Sequence, residues 1–211
     1  VTQAAGLSLK WFRDNFCGAE KDTAALMDVD EYYLMDKEAE TVPIGAERLL
    51  YLPYLMGERT PHLDPDARGV FFGLSAMHTK KHMLRAVMEG VAYSLRDCVE
   101  VFREMGINVS DMMACGGGGT SPLWRSMLAD LYGCEVKTPA SKEGPALGAA
   151  LLASVGAGIY GSVPEAVKAV VRTDKVCQPD SSRMERYDEF YSLYREIYPA
   201  LKDSFSRLAT L

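Results

Sequence analysis

The chain has 211 residues, 48% hydrophobic and 25% charged, which leaves room for one large domain or two small ones with a substantial core. A formal net charge of -6 argues against broad nucleic-acid binding, which needs clustered Lys and Arg. Five scattered cysteines without a C-x-x-C read as buried thiols in a reducing, cytoplasmic setting. The three histidines form no H-E-x-x-H metal motif, and neither a signal peptide nor an apolar run of membrane-spanning length is visible.

Val1 to Leu7 is a run of mostly small and apolar residues without an initiator methionine, and the chain reads as if it begins in mid-domain. Ser8 to Phe16 predicts a helix, with Leu9, Phe12 and Phe16 on one face and Cys17-Gly18 after it. Residues 28–40 predict an acidic amphipathic helix capped by Asp28, with Val29, Tyr32, Tyr33 and Met35 apolar and the acids on a solvated face. In the apolar segment 48–55, Pro53 argues against a central strand. GERTPHLDPDARG, residues 57–69, is a stiff polar loop. Its Glu58, Arg59, His62, Asp64 and Arg68 either face a ligand cleft or pair with one another. GVFFGL, 69–74, is a further apolar segment.

Residues 79–105 predict the longest regular helix, striped by Leu84, Val87, Val91, Leu95, Cys98, Phe102 and Met105 and closed by Gly106. Gly90 inside it should cost about 1 kcal/mol against Ala, offset by close backbone packing. Glu89, Asp97 and Glu100 are expected at the surface.

The stretch around which the chain is organised is DMMACGGGGTSPLWRSMLADLYG, residues 111–133. Met112 to Cys115 predicts a short buried strand, Gly116 to Gly119 a turn, and Ser121 the N-cap of a helix with Pro122 at its first position. Leu123, Trp124, Met127, Leu128 and Leu131 recur at helical spacing up to Gly133. Four glycines exceed what a turn needs, and they let a flat or charged ligand approach the backbone beside a helix start. With no Gly-Lys pair anywhere, there is no Walker-type phosphate loop. The dinucleotide fingerprint is partial: Gly116 and Gly118 fit, but Ser121 stands where the third glycine should be, and Glu135 begins the next strand instead of ending it.

Residues 134–139 predict a strand. Pro145 starts a helix whose Ala146, Gly148, Ala149, Ala150 and Ala153 predict tight contact with a neighbouring helix. A short helix over 163–171, an extended segment to Cys177 and a long amphipathic helix from Ser182 follow, the last kinked by Pro199 and striped by Tyr187, Phe190, Tyr194, Ile197, Leu201 and Phe205.

Several segments in order resemble the FGGY carbohydrate kinases, and within them the branch that acts on xylulose. GVFFGLSAMHTKKHMLRAVME, 69–89, is similar to the family's C-terminal signature, with its polar residue at His82, then Ala86 and Glu89. GERTPH and DPDARG resemble the xylulose branch's version of the preceding loop. CGGGGTSPLWRSMLADLYG resembles the adenosine motif, GPALGAALLA its companion, and WFRDNF near the start has a counterpart too. The resemblance runs from about residue 4 to residue 200.

It implies an α/β, actin-like (ribonuclease H-like) ATPase fold in two domains with ATP between them, and it makes residues 1–211 a partial C-terminal domain lacking its first strands. Gly116, Gly117 and Gly118 would pass under the adenosine, with Ser121 near the adenine edge. Gly6 and Lys10 match nucleotide-contacting positions of the family, and Gly144 and Ala146 would border the phosphate side. The family's aspartate base, its first phosphate loop and the Gly-Thr hairpin would lie outside this chain, so no residue here is assigned a catalytic role. D-xylulose would bind through the absent N-terminal domain, the donor would be ATP with Mg2+, and the enzyme would be cytoplasmic, with a homodimer as the candidate assembly. The rival readings are another FGGY kinase, acting on glycerol, gluconate or ribulose, and a non-catalytic nucleotide-binding module.

Overall fold

The computed structural model describes residues 2–141 and 144–211. Helix α1, Ala5–Phe16, buries Ser8, Leu9 and Phe12. Helix α2, Gly18–Met27, follows at once and ends at Asp28 in the left-handed region (φ 54). Helix α3, Glu31–Glu40, is capped by Asp30, which accepts from the Tyr32 N–H. Sequence periodicity gives no sign of α2, and Asp28 ends a helix instead of starting one. The reason is local: α2 buries only Glu20 and Ala24, too little to give an apolar stripe.

Strands β1, Leu50–Leu52, and β2, Val70–Phe72, form an antiparallel pair in which Leu50 faces Phe72. Pro53 stands just beyond β1, where no ladder N–H is needed. Helix α4, Lys80–Glu104, is the central element, packed against β1, α1, α3 and α6. Gly90 allows this: a Cβ there would lie 2.1 Å from the Tyr51 carbonyl oxygen. The α4 stripe is buried at Leu84, Val87 and Val91 but runs out to solvent at Phe102 and Met105. Strand β3 (Asp111–Met113), the helical turn α5 (Gly117–Thr120) and helix α6 (Pro122–Tyr132) come next, followed by strand β4 (Glu135–Pro139). Helices α7 (Gly144–Gly156) and α8 (Val163–Val170), strand β5 (Thr173–Cys177) and helix α9 (Ser181–Leu208) complete the chain. The second sheet has the order β3-β4-β5, parallel between β3 and β4 and antiparallel between β4 and β5.

The tyrosine stripe of α9 closes the core over β1 and α6, with Tyr191 and Tyr194 lying near the Tyr93 ring and Pro199 within the helix. Two acids expected at the surface are buried. Glu89 accepts from the Gly45 N–H (3.0 Å) and from Arg85 Nε (2.7 Å), and Asp97 accepts from the Tyr191 hydroxyl (2.6 Å). Burial pushes both carboxyls up, Asp97 to about 6. Glu89 holds the start of a left-handed turn, with φ of 82 at Gly45, 46 at Ala46, 57 at Glu47 and 73 at Arg48. Strand β3, expected buried, has exposed Asp111 and Met113 and forms one edge of its sheet. The small residues of α7 face mostly outward: its one buried residue is Leu151, and its partner is α8.

Candidate functional site

The four glycines after β3 are glycine for different reasons. Gly116 has φ 74, a region that L side chains avoid. A Cβ on Gly119 would lie 2.4 Å from the Ala114 carbonyl oxygen, and one on Gly118 would press against the Trp124 ring at 3.3 Å. A Cβ on Gly117 would meet nothing within 4 Å. The fold therefore accounts for three of the four, and Gly117 is the one whose bareness serves open space.

That space consists of two clefts, one on each side of the turn. The first, about 400 Å³, is apolar: Ala5 and Gly6 of α1 face Gly117 and Gly118 across Val91, Leu95, Met112, Trp124 and Tyr132. The second, about 420 Å³, is more polar than the first, with Thr120, Arg125, Thr138, Ser141, Asp174 and Lys175 in its lining beside Gly116 and Gly117. Gly117 lines both. The second cleft lies past the carboxyl ends of the parallel strands β3 and β4, where open α/β sheets bind their ligands.

Each predicted residue has a definite place. Gly6 lines the apolar cleft, and a Cβ there would meet no atom within 4 Å. Lys10, one turn further along α1, lines neither cleft; its ammonium pairs with Asp14 (2.7 Å) and, with Arg13, holds that carboxyl down at about 2. Ser121 caps α6, its oxygen accepting from the Trp124 N–H at 3.0 Å. On α3, burial lifts the Asp36 carboxyl while a hydrogen bond from Ser121 lowers it. The Ser121 hydroxyl oxygen is thus engaged as the cap of α6, and Ser121 lines neither cleft. Gly144 opens α7 and Ala146 is exposed on it.

Two site residues are not predicted as such from the sequence: Arg125 draws no reading of its own, and Trp124 reads only as part of the α6 stripe. Arg125 donates through Nη1 to the carbonyls of Gly119 (2.6 Å) and Thr120 (2.9 Å) and so pins the turn. Trp124 lines the apolar cleft, and its buried indole N–H has no partner among the described residues. A signal for Arg125 existed: helical side chains lean toward the N-terminus, so a residue one turn into α6 covers the turn before it.

Of the two readings of the 57–69 loop, the described residues do not bear out the internal ion pairs, and His62 lines a small cleft with Tyr54, Asp97 and Tyr198. Buried Glu58 accepts from the backbone N–H groups of Gln3 (2.9 Å) and Arg59 (2.7 Å), and Asp64 accepts from the Tyr198 hydroxyl (2.7 Å). Arg68 donates to the carbonyls of Pro65 and Ala67, and His62 stacks on Tyr198. Carboxylates receiving N–H and O–H donors, not ion pairs within the loop, hold it among the described residues.

Among known structures, xylulose kinase from Rhodospirillum rubrum superposes with a TM-score of 0.82 at 33% identity, over 97% of this chain and 40% of that one. This sets the class: the chain has the α/β, actin-like fold of the C-terminal portion of a sugar kinase. Residues 1–157 match the FGGY family of carbohydrate kinases, C-terminal domain. Xylulose kinase from Bacillus subtilis (strain 168) is 39% identical over 203 residues, 96% of this chain and 39% of its own length. Gluconokinase from Bacillus licheniformis is 36% identical over 205 residues, 97% of this chain and 40% of its own. The chain belongs to the FGGY family of carbohydrate kinases, and it spans about two fifths of the length of the relatives it matches.

Proposed function

We propose that this chain is the nucleotide-binding C-terminal portion of an ATP-dependent xylulose kinase. The observation that carries the reading is Gly117, a glycine with no structural reason to lack a side chain, placed where two clefts meet. In this reading the adenosine lies against Gly116, Gly117 and Gly118, with Gly6 on the opposite wall and Lys10 and Ser121 at the periphery. An apolar cleft lined by Trp124 and Tyr132 suits a purine, and bare backbone lets it approach closely.

The sugar hydroxyl would attack the γ-phosphorus, its proton taken by an aspartate outside these 211 residues, and catalysis would come from positioning and charge stabilisation. This chain's share is to bind and orient the nucleoside end. Among the described residues no three His, Cys, Asp or Glu side chains converge to hold a metal ion, and in this reading Mg2+ arrives with the ATP phosphates. No helix among them is long and apolar enough to cross a membrane, which is compatible with the proposed cytoplasmic location. Homodimerisation remains part of the proposal.

Xylulose is preferred over gluconate because the GERTPH loop resembles the xylulose branch and the Bacillus subtilis xylulose kinase is a relative at 39% identity. Coupled ADP-release assays on the natural polypeptide that carries these residues test it, with D-xylulose, gluconate, glycerol and ribulose as acceptors. Xylulose should give the highest kcat/KM. A higher value for gluconate would assign the chain to the other branch, and no turnover with any of them would favour a non-catalytic nucleotide-binding module.

A further inference from the structure

We propose that His78 and His82 form an acid-opened latch: as neutral imidazoles they close the start of α4 and tie the β2–α4 connection to the left-handed turn at residues 45–48, and protonation releases both holds. The two side chains repeat one arrangement. His78 Nδ1 accepts from the Ser75 backbone N–H at 2.9 Å, and His82 Nδ1 accepts from the Thr79 backbone N–H at 3.0 Å. A backbone N–H can only donate, so each Nδ1 offers a lone pair and each ring carries its proton on Nε2. His78 Nε2 then donates to the Glu47 carbonyl at 3.1 Å. Thr79 is the N-cap of α4 and His82 its third residue, so the bond to Thr79 is half of a capping box. The two rings lie edge to face, with centroids 5.7 Å apart.

A proton on either Nδ1 sets it donor to donor against a backbone N–H. At His82 the charge is also badly placed. The first turn of α4 holds no acidic residue, and Lys80 and Lys81 precede His82 at the positive end of the helix dipole. Lys80 pairs with Glu20 and lies 3.9 Å from Glu38. Burial, His78 and Lys81 hold the His82 ring below the usual histidine range, and Glu47 draws it up. The folded state thus binds this proton less tightly than the unfolded chain. The associated stability is complete above the usual histidine value of 6.5 and is lost as pH falls below it. The turn that His78 grips is held from two other sides. Glu89 accepts from the Gly45 N–H, and a Cβ on Gly73, at the end of β2, would lie 2.4 Å from the Arg48 carbonyl oxygen.

The natural polypeptide that carries these residues tests the latch. Nitrogen NMR of the labelled protein, assigned through His78→Gln and His82→Gln, should show both rings as Nε2–H tautomers near neutral pH. The Ser75 and Thr79 amide resonances should move as the rings protonate. Melting temperatures are then compared at about pH 8 and about pH 5. Glutamine accepts an N–H at either pH and suits the third position of a helix, so the double Gln variant should keep the fold and lose the response. Its fall in Tm across that range should be about 2–4 °C smaller than that of the wild type. Asp97 titrates in the same range with the opposite sign, but it is present in both proteins and cancels in the difference. A ring found as the Nδ1–H tautomer would overturn the proposal, and so would an equal fall in the double variant. If the double variant fails to fold, the tautomers and amide shifts of the wild type decide alone.

Discussion

Gly119 and Gly117 stand two positions apart and differ in what a β-carbon would meet. At Gly119 it would strike the Ala114 carbonyl oxygen at 2.4 Å, so Gly119→Ala should cost about 1–3 kcal/mol, visible as a lower urea midpoint at unchanged slope. At Gly117 it would meet nothing, so a larger side chain there should leave the melting temperature almost unchanged. Asp97 gives a pH test. Burial lifts its carboxyl to about 6, above the usual 3.8, against the lowering effect of the hydrogen bond from the Tyr191 hydroxyl. The folded state thus binds this proton more tightly than the unfolded chain. The associated stability is complete below about pH 4 and disappears as pH rises through about 6. Asp97→Asn should therefore stabilise the protein at pH 7, on the order of 2 kcal/mol, and flatten the stability profile between pH 4 and 6. A less stable Asn variant at pH 7 would show that the charged form is the one the core prefers. Local chemistry was legible here: Ser121 as cap, Pro122 behind it and Gly133 as terminator all follow from sequence neighbours. The burial of Glu89 and Asp97 was not, because Gly45 and Tyr191, which meet them in the core, lie 44 and 94 residues away, and the i,i+4 partner Arg85 of Glu89 reads equally well as a surface pair.

At the level of elements, Gly90 sets how closely α4 approaches β1. Helix propensity alone favours Gly90→Ala by about 1 kcal/mol. The added Cβ would sit 2.1 Å from a backbone oxygen that cannot step aside without moving β1, so the net effect should be a loss of about 2–4 kcal/mol. Denaturant unfolding decides the sign, and a more stable Ala variant would mean that the helix and strand can separate freely. The long helices α4 and α9 were readable because each buries a continuous stripe in this chain. Helix α2 was not, since two buried residues leave no period to detect. The small residues of α7 predict a packing face, and composition alone could not say that α8 would be its main neighbour among the described residues and leave Leu152 62% exposed.

For the whole molecule, family and fold were legible in the combined motifs, whereas the division of the site into an apolar and a polar cleft depends on how β4, β5 and α1 come together around one turn. Positioning supplies about 7–11 kcal/mol of a barrier of this kind, and in the proposed reading this chain supplies only the nucleotide side of that arrangement. The 211 residues alone should thus show no xylulose-dependent ADP release, whereas the natural polypeptide that carries them should. If the glycine turn carries the nucleotide, Gly117→Val in that polypeptide is the substitution that reveals it most directly. Steady-state kinetics should show the ATP KM raised about tenfold or more, with the sugar KM within about twofold and the melting temperature unchanged. An ATP KM that stays at the wild-type value would place the nucleotide elsewhere.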